Sequence, residues 1–281
     1  MNANNQSLSF SSNFLFVPGT SHERFLKALN SGADAVIIDL EDAVSPEEKD
    51  IARKAIRTAW PTFSQEQKER LVIRINSPGS PFYSADLILA QELNIVCVLI
   101  PKSELVEQIN GAALILPNTA IVPMIESALG LANLNDIANA NQVLRLALGN
   151  LDLQADLGMV CDGQETELQT ARFQLVVASR LAQIAAPIDG VTISTDDIER
   201  ITADAERAKR MGFGGKLCIH PRQVSIVKGA FMPSTEEISW AQRVIEADKN
   251  SKGGAVKLDG RMIDRPVVLL AIRTLAVANN P

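Results

Sequence analysis

Two carboxylates in this chain stand directly behind apolar runs, Glu126 at the end of VPMIES and Asp152 in GNLDLQADLG. If those runs are neighbouring strands, both acids reach one rim. Two oxygen ligands with open positions suit a hard divalent cation that keeps several waters and accepts a chelating substrate. Taken singly, each acid reads better as a cap for the helix that follows it. Only His22 and His220 occur in the whole chain, which argues against imidazole-rich metal sites and favours magnesium, with manganese as the substitute. His220, followed by proline in IHPRQ, reads as a hydrogen-bonded structural residue and not as a general base.

Arg74 stands in VIRIN against the apolar alternation, so a guanidinium sits where a barrel rim would otherwise be apolar or small. Its planar fork suits a carboxylate or a developing oxyanion. The bland alternative is an ion pair with the acids of DLEDAV, and both hold together if Glu41 orients the arginine. Lys102, after Ile100 and Pro101, has the chemistry for the Schiff base of a lysine-dependent aldolase, but the paired acids argue for a metal.

For these side chains to meet, the segments that carry them must end side by side. Short β-branched apolar runs alternate with amphipathic stretches, and strands are expected at residues 14–18, 34–40, 71–76, 95–101, 120–125, 144–149, 188–193 and 216–220. Helices are expected between them, for example at 46–59, with Ser45 as N-cap and Pro46 in the first turn, and at 165–185. Eight β-then-α units point to an α/β TIM barrel; an open doubly wound sheet uses the same units, and the count favours the barrel. In a barrel the active site gathers at the C-terminal strand ends, where DLED, Arg74, Lys102, Glu126, Asp152, Ser194 and His220 all fall. The barrel domain is expected over residues 13–249. A polar, glycine-rich stretch at 249–254 then leads into a C-terminal helical appendage, residues 250–281, and residues 1–12, rich in Asn and Ser, read as disordered.

A net charge of -6 with scattered basic residues leaves no footprint for a nucleic-acid backbone, so small-molecule partners are expected. No apolar run reaches the roughly 18 to 20 residues of a membrane span. Cys97, Cys161 and Cys218 form no CxxC pair and no charged-then-apolar leader opens the chain, which suits the cytoplasm.

In order along the chain, FLFVPG, DLEDAV, VIRIN, IPKSE, MIES, GNLDLQADLG, MGFGGKLCIHPRQ and DGRMIDRP resemble the citrate lyase beta-subunit-like family of the HpcH/HpaI aldolase/citrate lyase superfamily, which includes citramalyl-CoA and malyl-CoA lyases. The resemblance runs over about residues 14–275 and implies a magnesium-dependent carbon–carbon lyase that cleaves a hydroxyacyl-CoA thioester to acetyl-CoA and a 2-keto acid. Glu126 and Asp152 match the magnesium ligands and Arg74 the substrate-contacting arginine. Phe16, Arg24 and Lys27 match the CoA side of the pocket, although a solvated helix face explains the two cations nearly as well. Ser194 is placed with the substrate contacts. Asp264 matches an aspartate that reaches over a neighbouring subunit's site in a homo-oligomer, a trimer or hexamer; by sequence alone it is the N-cap of a helix starting near Pro266.

The implied chemistry is a retro-Claisen cleavage, in which Arg74 balances charge at the reacting carbon's oxygen and Asp264 exchanges a proton with the enolate carbon. Three alternatives stand beside it. A pyruvate-dependent metal aldolase shares both acids but carries a histidine after the glutamate of the second-strand motif, which DLEDAV lacks. A citrate lyase beta subunit would act on citryl groups held by an acyl carrier protein, and the DGRMIDRP tail favours a free-standing enzyme. A non-catalytic CoA-ester-binding protein would not need Glu126, Asp152, Arg74 and Asp264 intact.

Overall fold

Phe14, Ile37, Val72, Leu99, Val122 and Leu217 come from six different strands and meet in one apolar cluster, the interior of a closed barrel. The computed structural model describes residues 6–250 and 256–278. Its strands are β1 (Asn13–Pro18), β2 (Ala35–Asp39), β3 (Leu71–Arg74), β4 (Cys97–Ile100), β5 (Ala120–Ile125), β6 (Ala147–Leu148), β7 (Ile188–Asp189) and β8 (Gly215–Cys218). All neighbours pair in parallel, and β8 closes on β1. The TIM barrel is therefore the fold, and the open sheet is excluded.

The strand ladder is shorter than the apolar runs at β6 and β7. Beyond Asp189 the backbone leaves the ladder for a side chain: Val191 donates its N–H to Asn150 Oδ1 at 2.9 Å, and Asn150 Nδ2 donates to the Val191 carbonyl at 3.1 Å. An asparagine thus does the work of a strand partner where the chain must turn at the rim.

Residues 1–12 differ from expectation where they are described, while 1–5 lie outside the described residues. Gln6–Phe10 forms a short helix, and Leu8 is buried in the barrel's apolar cluster. Arg145, itself fully buried, donates to the carbonyls of Leu8 at 3.0 Å and Ser11 at 2.9 Å. This apolar anchor and these hydrogen bonds, with two more from the Ser12 N–H and Oγ to Asp34 Oδ2 at 2.9 and 2.7 Å, order a segment whose composition reads as loop.

The chain divides into two units, residues 1–228 and 229–281. In the second, helices Thr235–Asn250 and Arg265–Ala278 share a small core of Ala241, Val244, Ile263, Val268 and Ala271. Strands β9 (Val256–Leu258) and β10 (Arg261–Ile263) form a hairpin whose turn places Asp259 at φ 47° and Gly260 at φ 80°, the consecutive left-handed pair of a type I′ turn. Helix Thr235–Asn250 groups with this unit, so the division falls ahead of the polar stretch at 249–254, of which 251–254 lie outside the described residues. No helix among the described residues is long and apolar enough to cross a membrane.

Candidate active site

The inward alternation that fills the barrel with apolar side chains runs on into polar ones at the C-terminal strand ends. Two residues beyond Phe14, Ile37, Val72 and Met124 come Phe16, Asp39, Arg74 and Glu126. Arg74 therefore continues the alternation of β3. It was expected to reverse it, but Val72, not Ile73, belongs to the barrel interior.

Arg74 and Asp39 are register partners on β3 and β2, so their side chains leave the sheet on the same side. The pair is bidentate, Nε to Oδ1 at 2.7 Å and Nη2 to Oδ2 at 2.6 Å. Backbone amides of Glu41 and Ala43 complete the set of donors on Asp39. The remaining Nη1 faces Glu41 Oε2 at 3.0 Å and Asp42 Oδ2 at 3.4 Å, and the guanidinium lies 4.8 Å from the centre of the Phe16 ring. Burial opposes the charge on Arg74, but Asp39, Glu41 and Asp42 outweigh it and push the pKa up. The ion pair expected with the DLED acids is present on all three nitrogens, Nε and Nη2 on Asp39 and Nη1 on Glu41 and Asp42, with Nη1 at the rim. Lys49 straps the same loop down by donating Nζ to the carbonyls of Leu40 and Glu41, each at 2.7 Å.

Glu126 follows β5 and is buried, 4% exposed. It caps no helix, since Ser127 is the N-cap of Ala128–Ala132 and accepts from the Gly130 amide. Among the described residues one hydrogen-bond donor reaches Glu126, the Lys102 backbone N–H at 2.7 Å from Oε2. Desolvation, with smaller contributions from the charges of Glu41 and Asp152, raises its pKa to about 8 against the pull of that amide and of Arg74. Gly149, after β6, makes room for it: a Cβ there would lie 2.3 Å from Glu126 Cγ and 2.4 Å from Oε1. Asp152 sits half-buried in the first turn of helix Asn150–Leu157, whose N-cap is Gly149, and its carboxylate accepts no hydrogen bond among the described residues. Neither acid is explained as a cap.

Phe16, Arg74, Glu126 and Asp152 line one cavity of about 400 Å³, with Asp39, Asp42 and Asn150 among its other walls. Among the described residues no group of three or more acid, histidine or cysteine side chains is placed to enclose a metal. A cation bound to Glu126 and Asp152 would complete its shell with water and substrate oxygens, as magnesium does. The donor set fits that ion: two carboxylates, one of them buried and short of positive charge.

Arg24, Lys27, Ser194 and His220 are not among the residues lining this cavity. Arg24 is exposed and pairs with Glu23 at 3.4 Å, and Lys27 is exposed on helix Phe25–Leu29. Ser194 Oγ accepts from the Asp197 amide at 3.1 Å, a local turn contact. His220 Nδ1 accepts from the Arg222 amide at 3.2 Å, in keeping with a structural role. Asp264, exposed in the second unit, accepts from the Val267 amide at 3.4 Å, an N-cap contact for Arg265–Ala278.

Two residues not foreseen in these roles are Lys102, whose ammonium donates to Glu41 Oε1 at 2.7 Å, and Asn150. Burial lowers the Lys102 pKa, but the hydrogen bond and charge of Glu41 outweigh it and the net shift is upward, opposite to what a Schiff-base lysine requires. Asn150 Nδ2 also donates to Glu165 Oε1 at 3.0 Å, joining the rim to a buried network in which Arg172 pairs with Glu165 and Asp189, Arg207 with Glu165, and Lys216 with Asp189.

Residues 13–221 match the HpcH/HpaI aldolase/citrate lyase family. Citrate lyase subunit beta of Leuconostoc mesenteroides subsp. cremoris is 36% identical over 282 residues, covering 94% of this chain and 92% of that one. (3S)-malyl-CoA thioesterase of Cereibacter sphaeroides is 32% identical over 268 residues, covering 94% and 93%. The solved structure of CitE from Mycobacterium tuberculosis in complex with magnesium, acetoacetate and coenzyme A superposes with a TM-score of 0.84 at 30% identity, covering 96% of this chain and 99% of that one.

Proposed function

The chain belongs to the HpcH/HpaI aldolase/citrate lyase family, and from that premise we propose that it is a magnesium-dependent carbon–carbon lyase. Its substrate is a hydroxyacyl-CoA thioester of the citramalyl-CoA or malyl-CoA type, cleaved to acetyl-CoA and a 2-keto acid. The observation that carries this reading is Glu126, a buried carboxyl lifted to about 8 by desolvation and by neighbouring acids, at the wall of a cavity that also presents Asp152 and Arg74. Such a group is costly alone and favourable beside a divalent cation. When bound, the ion supplies Lewis-acid polarisation of the keto-acid half and offsets its charge.

The chain's own residues do the rest. Glu126 and Asp152 hold the cation. Arg74 Nη1, aimed by the Asp39 clamp, faces the oxygen at the reacting carbon and balances the charge that develops there. Phe16 forms an apolar wall beneath the guanidinium, and Arg24 and Lys27, exposed beyond β1, serve the phosphates and adenine end of CoA. Ser194 lies on the same rim. Asp264, lent by a neighbouring subunit of a homotrimer or hexamer, exchanges the proton at the enolate carbon. Free thiols at Cys97, Cys161 and Cys218 suit a reducing cytoplasm.

The deciding assay supplies citramalyl-CoA, malyl-CoA and citryl-CoA to the purified protein and follows acetyl-CoA and keto acid, with and without chelator. One thioester is expected to be cleaved, with activity lost in chelator and restored by magnesium or manganese. Full turnover in chelator would overturn the metal reading. Release of free CoA with the intact hydroxyacid would instead place the chain with thioester hydrolysis, the activity that names the Cereibacter relative.

A further inference from the structure

Lys102 carries its backbone in the left-handed region, at φ 49°, a conformation that a residue with a side chain keeps only when its surroundings hold it. In that conformation its amide points at the Glu126 carboxylate, 2.7 Å from Oε2. The side chain leaves in another direction and donates to Glu41 Oε1, also at 2.7 Å, while Glu41 Oε2 stands 3.0 Å from Arg74 Nη1. One residue thereby touches the metal ligand with its main chain and, through a buried acid, the substrate-facing arginine with its side chain. The ammonium end is 44% exposed, but the carboxylate it holds is only 8% exposed, so the pair is shielded on one side.

We propose that Lys102 is a positioning residue for metal binding: its Nζ–Glu41 ion pair holds the left-handed turn after β4, and that turn keeps the amide on Glu126. The inference rests on the reading of Glu126 and Asp152 as the magnesium ligands. Without the ion pair the turn keeps only the contacts of Ser103, whose N–H donates to the Met124 carbonyl at 3.1 Å and whose Oγ donates to the Ile100 carbonyl at 2.8 Å; these do not fix φ at Lys102, and the amide swings off the carboxylate. Glu126 then loses the one hydrogen-bond donor it has among the described residues and the orientation that goes with it. Removing partners that orient a metal ligand characteristically weakens the metal by about 10- to 100-fold.

Two substitutions separate this from a plain loss of charge. Lys102→Met removes the ammonium and keeps a side chain that disfavours positive φ. Lys102→Gly removes the same ammonium but adopts the left-handed conformation freely, so the amide stays in place. Magnesium affinity is read by titration calorimetry on the substrate-free protein, with thermal unfolding followed in parallel and Glu126→Gln as the reference for a lost ligand. Lys102→Met is expected to raise the magnesium Kd at least about tenfold, and Lys102→Gly to stay within about threefold of wild type. Wild-type affinity in Lys102→Met, or equal weakening in both variants, overturns the proposal while leaving the metal site standing. Wild-type protein that binds no magnesium overturns the metal reading, and this inference falls with it.

Discussion

Replacing Arg74 by lysine tests whether the arginine is chemistry or scaffold, because the geometry predicts different sizes for the two losses. Arg74 spends Nε and Nη2 on Asp39, at 2.7 and 2.6 Å, and holds Nη1 at the rim against Glu41 at 3.0 Å and Asp42 at 3.4 Å, where a substrate oxygen would share it. A lysine ammonium keeps the charge but holds one place, so it either replaces the Asp39 clamp or reaches the substrate. On the folding side Asp39 still accepts from the Glu41 and Ala43 amides and still has a countercharge in reach, so the loss stays near 1 to 2 kcal/mol, about one charge-assisted hydrogen bond. Removing the charge entirely would strand a buried carboxylate at roughly 3 to 5 kcal/mol, which makes lysine the cleaner probe. On the catalytic side the missing bond from Nη1 to the developing oxyanion is worth about 2 kcal/mol, or roughly 30-fold in kcat/KM. The assay is kcat/KM for the hydroxyacyl-CoA at saturating magnesium, with magnesium Kd and thermal midpoint measured on the same preparation. A 30-fold loss with magnesium affinity intact supports a residue acting at the reacting oxygen. Turnover within about threefold of wild type would refute the reasoning and leave Arg74 as the clamp of the DLED loop.

Gly149→Ala places a methyl group 2.3 Å from Glu126 Cγ, so magnesium affinity is expected to fall at least about tenfold by calorimetry; unchanged affinity would mean that Glu126 is not the ligand. At Asp189 burial alone would raise the pKa, but Lys216 and Arg172 outweigh it and hold it below its ordinary value. Its contribution to stability is therefore present above the usual aspartate range and lost as pH falls through the lowered folded-state value. Asp189→Asn is expected to cost about 3 to 5 kcal/mol in neutral denaturant melts and to blunt acid unfolding followed by circular dichroism; a neutral-pH loss under about 1 kcal/mol would contradict the buried-network reading. Mixing Asp264→Ala with Glu126→Ala is expected to restore part of the activity, because some mixed sites combine an intact metal end with an intact Asp264. No recovery after verified subunit exchange would remove Asp264 from its neighbour's site.

Periodicity made the barrel legible: eight apolar runs of strand length appear as eight parallel strands, because inward positions such as Ile37, Val72 and Val122 repeat every second residue. The same periodicity, followed two residues further, leads to Asp39, Arg74 and Glu126 at the rim. It misled at Arg74 only through the choice of which alternate residue faces inward, a sign that a four-residue strand does not carry. The helix Gln6–Phe10 was hidden because a single leucine, Leu8, anchors it and composition averages that signal away. Lys102 and Asn150 were unreadable for another reason. Lys102 acts through the sign of φ, and Asn150 through a carbonyl and an amide 41 residues along the chain. Neither property leaves a pattern in neighbouring residue types.

The distribution of hydrogen-bond donors among the rim acids favours one side of the cavity for the proposed cation. Asp39 receives four, two from Arg74 and two from backbone amides, and has no capacity left to offer. Burial raises the pKa of Glu41 on balance, but Arg74, which faces it, and Lys102, which binds it, both pull against that rise. Glu126 has one amide and Asp152 has none among the described residues. The positive charge built into the chain thus lies on the β2 and β3 side, and the deficit lies on the β5 and β6 side. A divalent ion on the first side would have to displace Arg74 from Asp39, breaking two charge-assisted bonds before forming any. On the second side it would meet a carboxyl that burial has made costly and another that accepts no hydrogen bond among the described residues, and the Arg74–Asp39 clamp would stay intact.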